Sequence, residues 1–461
     1  MQIKMKGILE HIYFSSPICI QNILISIYGF KLFNQRYGGK SKQYDKYLNE
    51  TQLYSKDDLF SLQEDLFRRT IEHAFATVPF YMELNAKTGL CANDINGLAD
   101  ICKLPVIEKE LIRSQPEKFC SNDYIYDKSC FWLNTSGSTG KPLRILCDKE
   151  SRRLHYSFWT RLRTNNQIGK RAKRATFFGR IICSPQQDRP PFWRYDFVGK
   201  NKLFSSYHMS DNNLRSYYDE LVRYKPIEII GYPSSIYLLS KYINSNGLNE
   251  LSPKAVITTA ETLLAYQRDE ISNAFKSSTI IDQYGCTEMT LFVSQCHTGA
   301  YHINPEHGVI EIQNLSGGNT GEVICTGFVN RAMPLIRYRL GDVLTICKDA
   351  CSCGTNFPVI EKIVGRTDDL LVSPDGRQLG RMDPIFKGMH GIFETQIIQK
   401  EYDALEIKIV VDDSFCDDNK IELIREIRKR TGESMMVDIN IVSSIPKNSN
   451  GKFKSVISLI S

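Results

Sequence analysis

Residues 227–243 read IEIIGYPSSIYLLSKYI. Ile227–Ile230 is a short apolar run of strand type. It breaks at Gly231-Tyr232-Pro233-Ser234-Ser235, and apolar residues then recur at helical spacing through Ile236, Leu239 and Ile243. A strand that enters a helix through a Gly/Pro turn is half of a βαβ unit. The same texture recurs along the chain. Ala175–Cys183 reads as a strand. Ala255–Thr259 is another, with a helix from Glu261, and Thr279–Asp282 is a third. Strands alternating with helices predict an α/β body built on parallel βαβ sheets.

Outward from this centre the pattern changes twice. Residues 1–110 look helical and irregular, with Leu62, Leu66, Ile71 and Phe75 at helical spacing. Gly308–Ile346 alternates more densely, in the manner of a smaller antiparallel or barrel-like part. Beyond Gly365-Arg366, Leu405–Val411 and Val437–Ile445 read as strands around an amphipathic helix at Asn419–Arg430. The expected organisation is therefore a helical region over 1–110, a core over 111–365 and a small α+β domain over 366–461. A chain of 461 residues is long enough for two or three such units.

Composition excludes several classes. With 42% hydrophobic and 24% charged residues the chain is neither disordered nor fibrous. A net charge of +6 gives no concentrated basic footprint, so no nucleic-acid partner is expected. No segment reaches the ~18–20 apolar residues of a membrane span. The nearest, Pro17–Phe33, follows Lys4 and Lys6 but is interrupted by Gln21 and Asn22. It reads as an amphipathic helix packed on the protein, with membrane-surface contact as the alternative. No small-residue cleavage site follows it. Most of the 14 cysteines are scattered singly, as in a reducing cytosol, which predicts a cytoplasmic protein.

Five stretches carry chemistry. Thr135-Ser136-Gly137-Ser138-Thr139-Gly140-Lys141-Pro142 crowds backbone amides and one ammonium around an anion, without the Walker A pattern. Asp282-Gln283-Tyr284-Gly285-Cys286-Thr287-Glu288 follows a strand. Arg337-Tyr338-Arg339-Leu340-Gly341-Asp342 and Gly365-Arg366-Thr367-Asp368-Asp369 come next, and Asn450-Gly451-Lys452 lies near the end. Separately, Cys296-x₅-His302 and Cys351-x-Cys353 supply three thiolates and an imidazole, the donor set of a tetrahedral zinc site. His297 and Cys347 are further candidate ligands. Four unconnected buried residues are the alternative.

The ordered set of loops over residues 130–461 resembles the adenylate-forming superfamily of acyl-CoA ligases. The chain looks most like its phenylacetate–CoA ligase family, in the branch associated with capsule and exopolysaccharide gene clusters. Tyr13-Phe14-Ser15-Ser16-Pro17, Gln21-Asn22, Tyr28-Gly29 and Ser205-Ser206-Tyr207-His208-Met209-Ser210 are similar to that branch.

The resemblance implies ATP-dependent activation of a small carboxylic acid as an acyl-adenylate, then transfer to coenzyme A. Transfer to a carrier protein or a polysaccharide precursor is the alternative, and a non-catalytic nucleotide-binding relative a third reading. It implies that Ser136, Gly137, Ser138, Thr139, Gly140 and Lys141 hold the β- and γ-phosphates. Glu288 would bind Mg²⁺, Tyr284 would lie on adenine beside Ala260-Glu261, and Asp342 would hold the ribose. Gly285, Thr287 and Arg366 also fall at nucleotide positions. Arg339 and Lys452 fall with Glu288 at catalytic ones. Asp368 would be the hinge of a mobile C-terminal domain. Some members of this family carry a similar Cys…His…Cys-x-Cys pattern. Lys454 stands where family members often carry an arginine. The basic run Arg161, Arg163, Lys170, Arg171, Lys173 and Arg174 reads as a solvated face, or as a surface for coenzyme A phosphates. Tyr232, Trp159 and His208 are candidate acyl-pocket residues.

Overall fold

The structure, a computed structural model, describes residues 8–135, 143–184, 186–261, 263, 265–314, 319–347, 349–363, 371–374, 378–379, 385, 389, 391–412, 414–443, 445 and 456–460. The chain divides into two compact units. One comprises Met1–Leu133 with Arg144–Gly365, the other Asn134–Leu143 with Arg366–Ser461.

The first unit opens with α1 (Ile8–Ser15), α2 (Ile18–Tyr37), α3 (Ser41–Thr51), α4 (Lys56–Thr77) and α5 (Pro79–Thr88), and a short α6 (Lys109–Ser114) follows. Ser55 begins α4 with a reciprocal capping box to Asp58. Gly89, at φ +74°, ends α5 in the left-handed region. In α2, Gln21, Ile25, Ser26 and Leu32 are buried, whereas Ile20, Ile23, Leu24, Ile27 and Phe30 remain exposed. Among the described residues no helix is long and apolar enough to cross a membrane.

The body is one sheet of 12 strands. Its strands in chain order are β3 (Arg174–Phe178), β4 (Trp193–Asp196), β5 (Asn201–Ser205), β6 (Glu228–Gly231), β7 (Ala255–Thr259), β8 (Thr279–Gly285), β9 (Phe292–Gln295), β10 (Tyr301–Ile303), β11 (Gly308–Asn314), β12 (Thr320–Gly327), β13 (Tyr338–Cys347) and β14 (Val359–Ile363). A separate pair, β1 (Phe131–Asn134) and β2 (Arg144–Cys147), precedes them. The order is β11-β12-β13-β14-β10-β9-β8-β7-β6-β3-β5-β4. β5, β3, β6, β7 and β8 are parallel, and every pairing from β8 to β11 is antiparallel.

Helices cover both faces of the parallel half, as a doubly buried sheet requires. Phe177, Ile229 and Val256 pack under α8 (Asp211–Tyr224), α9 (Pro233–Ser245) and α10 (Ala265–Ala274) through Leu214, Tyr217, Ile236, Leu239, Ile243 and Ile271. On the other face Ile230, Ile257 and Ile281 meet Leu162 of α7 (Lys149–Asn165). Asp148 starts α7 by accepting from the amides of Glu150 and Ser151.

Three sequence expectations need correction. The strand expected over Ala175–Cys183 ends at Phe178. Ile182 and Cys183 are apolar because they pack, beyond the end of the strand, with Tyr13 and Ile25 of the N-terminal helices and Leu203 of β5. The Gly308–Ile346 region is antiparallel but not a separate barrel, because β10 and β14 pair and join it to the main sheet. The basic run is solvated only at Arg171 and Lys173, which are exposed. Arg161 is buried against Glu306, Arg163 and Arg174 share buried Glu228, and Lys170 pairs with Asp45.

In the second unit, β15 (Leu371–Val372) pairs with β16 (Gln378–Leu379). A four-stranded sheet runs in the order β19 (Met436–Ile441), β18 (Ala404–Val411), β17 (Ile392–Glu401), β20 (Val456–Ser458). The β18–β19 pairing is parallel and is crossed by α11 (Asp417–Thr431), whose Leu423 and Ile427 bury against Ile397, Leu405 and Ile407.

Candidate active site

The parallel strands end together. Thr259 of β7 is in register with Gln283 of β8, Thr258 with Gly231 of β6, and Gly231 with Phe177 of β3. Ala260, Tyr284, Tyr232 and Phe178 therefore line one sheet edge at the carboxyl ends of the strands, where open α/β sheets bind ligands. Ala260 has φ +69°, a left-handed conformation that turns the chain out of β7. Glu261 then accepts from the Ser234 amide at 3.2 Å, which ties this turn to the start of α9.

Tyr284 donates its hydroxyl to Asp342 Oδ2 at 2.7 Å. Burial, reinforced by the Asp342 charge, raises the Tyr284 pKa far above its ordinary value, so the hydroxyl remains a donor. Asp342 lies on β13, where burial alternates. Tyr338, Leu340 and Asp342 face inward together, and Arg339 takes the opposite face. Tyr338 donates to Glu288 Oε1 at 2.9 Å. Glu288 is buried at 4% exposure, in the turn between β8 and β9. Lys109 Nζ lies 3.8 Å from the same oxygen.

A local device places Lys109. The segment at Ile107 runs parallel to β13, its amide donating to the Arg337 carbonyl at 2.9 Å and its carbonyl accepting from the Arg339 amide at 3.0 Å. Sequence reading missed Lys109, and Glu108-Lys109-Glu110 gives no signal that could have found it.

The structure thus brings together Tyr284 of β8, Glu288 of the turn that follows it and Asp342 of β13, with Gly285 and Thr287 in the same region of the chain. It does not bring Arg339 to them. Arg339 is held by Glu108 at 2.8 Å, Glu322 at 2.6 Å and Gln313 at 2.7 Å. Ser136, Gly137, Ser138, Thr139, Gly140, Lys141, Arg366, Asp368 and Lys452 lie outside the described residues. Of the candidate acyl-pocket residues, His208 is bonded to Ser205 Oγ at 2.7 Å and the Ser184 carbonyl at 3.1 Å. Trp159 packs edge-on against Phe292. Tyr232 stands at the sheet edge beside Phe178.

A second centre lies at another part of the sheet. The donor atoms of Cys296, His302, Cys351 and Cys353 all fall within 4.8 Å of one another. Cys296 Sγ and Cys351 Sγ are 3.8 Å apart, and Cys353 Sγ is 3.4 Å from His302 Nε2. Zn–S bonds of ~2.3 Å in a tetrahedron put two sulfurs about 3.8 Å apart, the separation seen between Cys296 and Cys351. His302 Nδ1 meets the Phe357 carbonyl at 3.2 Å, which leaves Nε2 facing the sulfurs as a ligand must. Burial raises the Cys351 pKa. Hydrogen bonds from Thr298 and the Cys353 amide outweigh it and bring the thiol down to about 6. His297 and Cys347 are not part of the cluster. His307 instead faces His155, Nε2 to Nδ1 at 3.1 Å.

Comparison with known proteins agrees with this architecture. Residues 371–459 match the family of the CapK C-terminal domain. The chain is 28% identical to Protein CapK of Staphylococcus aureus over 98% of its own length and 100% of that protein. It is 22% identical to a phenylacetate-coenzyme A ligase of Thermus thermophilus, covering 90% of this chain and 99% of that one. The fold matches 2-hydroxyisobutyryl-CoA ligase bound to 2-HIB-AMP and CoA, with a TM-score of 0.56 and 17% identity over 88% of this chain and 91% of the other. Over nearly its whole length the chain is thus similar to CapK and to phenylacetate-coenzyme A ligases, and it shares the fold of an acyl-CoA ligase. The similarity to CapK includes the C-terminal domain that gives the matching family its name.

Proposed function

We propose that the protein activates a small carboxylic acid with ATP and passes the acyl group to coenzyme A. The Tyr284–Asp342 hydrogen bond beside buried Glu288, at the carboxyl edge of the parallel strands, carries this reading. Tyr284 offers its ring to adenine across from the Ala260-Glu261 turn. Asp342, oriented by the Tyr284 hydroxyl, accepts from the ribose hydroxyls. Glu288 would hold Mg²⁺, which prefers a carboxylate together with phosphate oxygens and, when bound, neutralises polyphosphate charge. Tyr338 and Lys109 fix the position of that carboxylate.

The acid's oxygen attacks the α-phosphorus, the bond to pyrophosphate breaks, and pyrophosphate leaves with the electron pair. A thiolate then attacks the acyl carbon, and AMP departs. Two repelling anions must be held in line, so most of the barrier reduction comes from positioning and fixed positive charge. Ser136–Lys141 and Lys452 are the residues assigned to supply that charge. Arg366 stays with the nucleotide set and Asp368 with the hinge. Arg339, tied to Glu108 and Glu322, acts by holding β13 rather than by touching the reacting atoms. Cys296, His302, Cys351 and Cys353 would hold a structural zinc, whose role when bound is to cross-link the β9–β10 hairpin to the loop before β14.

The test is hydroxamate formation from ATP, Mg²⁺ and hydroxylamine across a panel of carboxylic acids. Wild type is expected to respond to one acid class, and Glu288→Gln to lose on the order of 100-fold of that rate. Equal rates in the two proteins would overturn the assignment.

A further inference from the structure

Three arginines converge on the sheet edge where it passes from β6 to β3. Arg180 follows Gly179 just beyond β3, Arg152 lies in the first half of α7, and Arg36 lies near the end of α2. Arg36 and Arg152 flank Tyr156, and Arg180 acts on it electrostatically. The guanidinium carbons of Arg36 and Arg152 stand 4.5 Å and 4.8 Å from its ring centre, and Arg152 donates to its hydroxyl at 3.3 Å. Arg180, Arg36 and Arg152 all act electrostatically on Tyr28 as well, and Tyr232 acts on Arg180. Arg36 Nε is buried without a hydrogen-bond partner.

Among the described residues no acid forms an ion pair with Arg36, Arg152 or Arg180. The local acids are committed elsewhere. Glu150 pairs with Arg153, and Asp196 accepts from the amides of Val198 and Gly199. The contrast within the unit is sharp: Arg161, Arg163 and Arg174 each have a buried carboxylate. Partly buried guanidinium groups without an anion are costly to hold. Ring faces offset part of that cost. Supporting evidence lies in the titration behaviour. Burial pushes the Arg180 pKa down and Arg36 adds to it, while Tyr156 falls to about 8 because the arginines outweigh its own burial.

Position supplies the rest. β3 is three strands from β8, roughly 14 Å at ~4.8 Å per strand. A nucleotide at the β7–β8 edge would direct its acyl group along the strand ends past Tyr232 toward Arg180. Tyr207 donates to the Gly179 carbonyl at 3.1 Å and helps shape this end.

We infer that the acid activated here carries a second anionic group, a carboxylate or a phosphate, which Arg180, Arg152 and Arg36 bind at the far end of the acyl pocket. This inference rests on the adenylation reading for the identity of the ligand. The site itself rests on the arginines.

The experiment has two arms. In the first, the full chain forms hydroxamates from pairs of acids of equal chain length, one ending in methyl and the other in carboxylate or phosphate. The anionic member is expected to be preferred in kcat/KM, and Arg180→Gln to reduce the preference ratio by about 100-fold. Arg36→Gln is the second variant, and urea melts of both confirm folding. In the second arm, glutarate is titrated calorimetrically without nucleotide. Wild type is expected to bind it, and the variants at least 10-fold more weakly. Preference for the methyl-ended acids, or a ratio untouched by both variants, overturns the inference and leaves adenylation standing. No hydroxamate from any acid, with variant-sensitive glutarate binding, overturns adenylation and keeps the site. Glutarate binding that is absent, or equal in all proteins, overturns the site. A rise in the KM of coenzyme A in the variants, with the acid ratio unchanged, would assign the arginines to the cofactor instead.

Discussion

Replacing Cys353 with serine removes one of four donors from the Cys296–His302–Cys351–Cys353 cluster. Cys296 and Cys351 are 55 residues apart in sequence, so a metal bridge between them closes a long loop. Chain-entropy reasoning for a cross-link of that length gives about 4 kcal/mol of stabilisation lost with the metal. For a unit of this size each kcal/mol shifts the melting temperature by ~2–4 °C at most, so a fall of roughly 5–10 °C is expected. The assay pairs elemental analysis of protein purified without chelators with thermal melts of wild type, Cys353→Ser and wild type after 1,10-phenanthroline. About one zinc per chain is expected in wild type and almost none in the variant, with both metal-poor samples melting early. His302→Ala should behave alike, since its Nδ1 is already committed to Phe357. Wild type that carries no zinc as purified without chelators, or zinc-loaded wild type that melts with the variant, would refute the reasoning. So would a Cys296–Cys351 disulfide found by thiol counting under non-reducing conditions.

Other expectations follow from single contacts. Tyr284→Phe keeps the ring but removes the hydroxyl that donates to buried Asp342 Oδ2 at 2.7 Å. ATP binding should weaken about 5–20-fold with modest change in turnover, as read by nucleotide titration. Glu228→Gln strips the carboxylate from buried Arg163 and Arg174, each 2.9 Å away, and should cost about 3–5 kcal/mol in a urea melt. Tyr156 should give a tyrosinate signal near pH 8 in an ultraviolet titration, absent in Tyr156→Phe and shifted upward in Arg152→Gln. Its pKa is lower folded than unfolded. Stability from this group should therefore grow as pH rises from about 8 toward 10, and vanish as pH falls through 8.

What the sequence made legible depended on whether the signal was local. Ala255–Thr259 is a five-residue run, buried at every position, and its apolar β-branched character sufficed to identify it. Thr279–Asp282 was readable for the same reason, but the strand continues to Gly285 because β9 folds back on it, and no residue in the run announces that pairing. Ile182 and Cys183 misled because an apolar run does not say what it packs against. Here it is the N-terminal helices. The four-ligand cluster could be read because Cys-x-Cys is a spacing signal, and its remaining pair has only five residues between them. Arg36, Arg152 and Arg180 sit on three elements joined only by tertiary packing. No spacing links them, and the single clue, a lack of acidic partners, exists only in three dimensions. Lys109 is hidden in the same way, brought to Glu288 by a segment laid beside β13.

The central claim is that the acid attacks the α-phosphorus of ATP. Its most direct test is a single turnover with excess enzyme, ATP, Mg²⁺ and a panel acid, with no acceptor, quenched and analysed by mass spectrometry. Acyl-AMP and pyrophosphate should form in equal amounts in wild type, and on the order of 100-fold more slowly in Lys452→Ala. ADP with inorganic phosphate, or no consumption of ATP with any acid, would contradict the account.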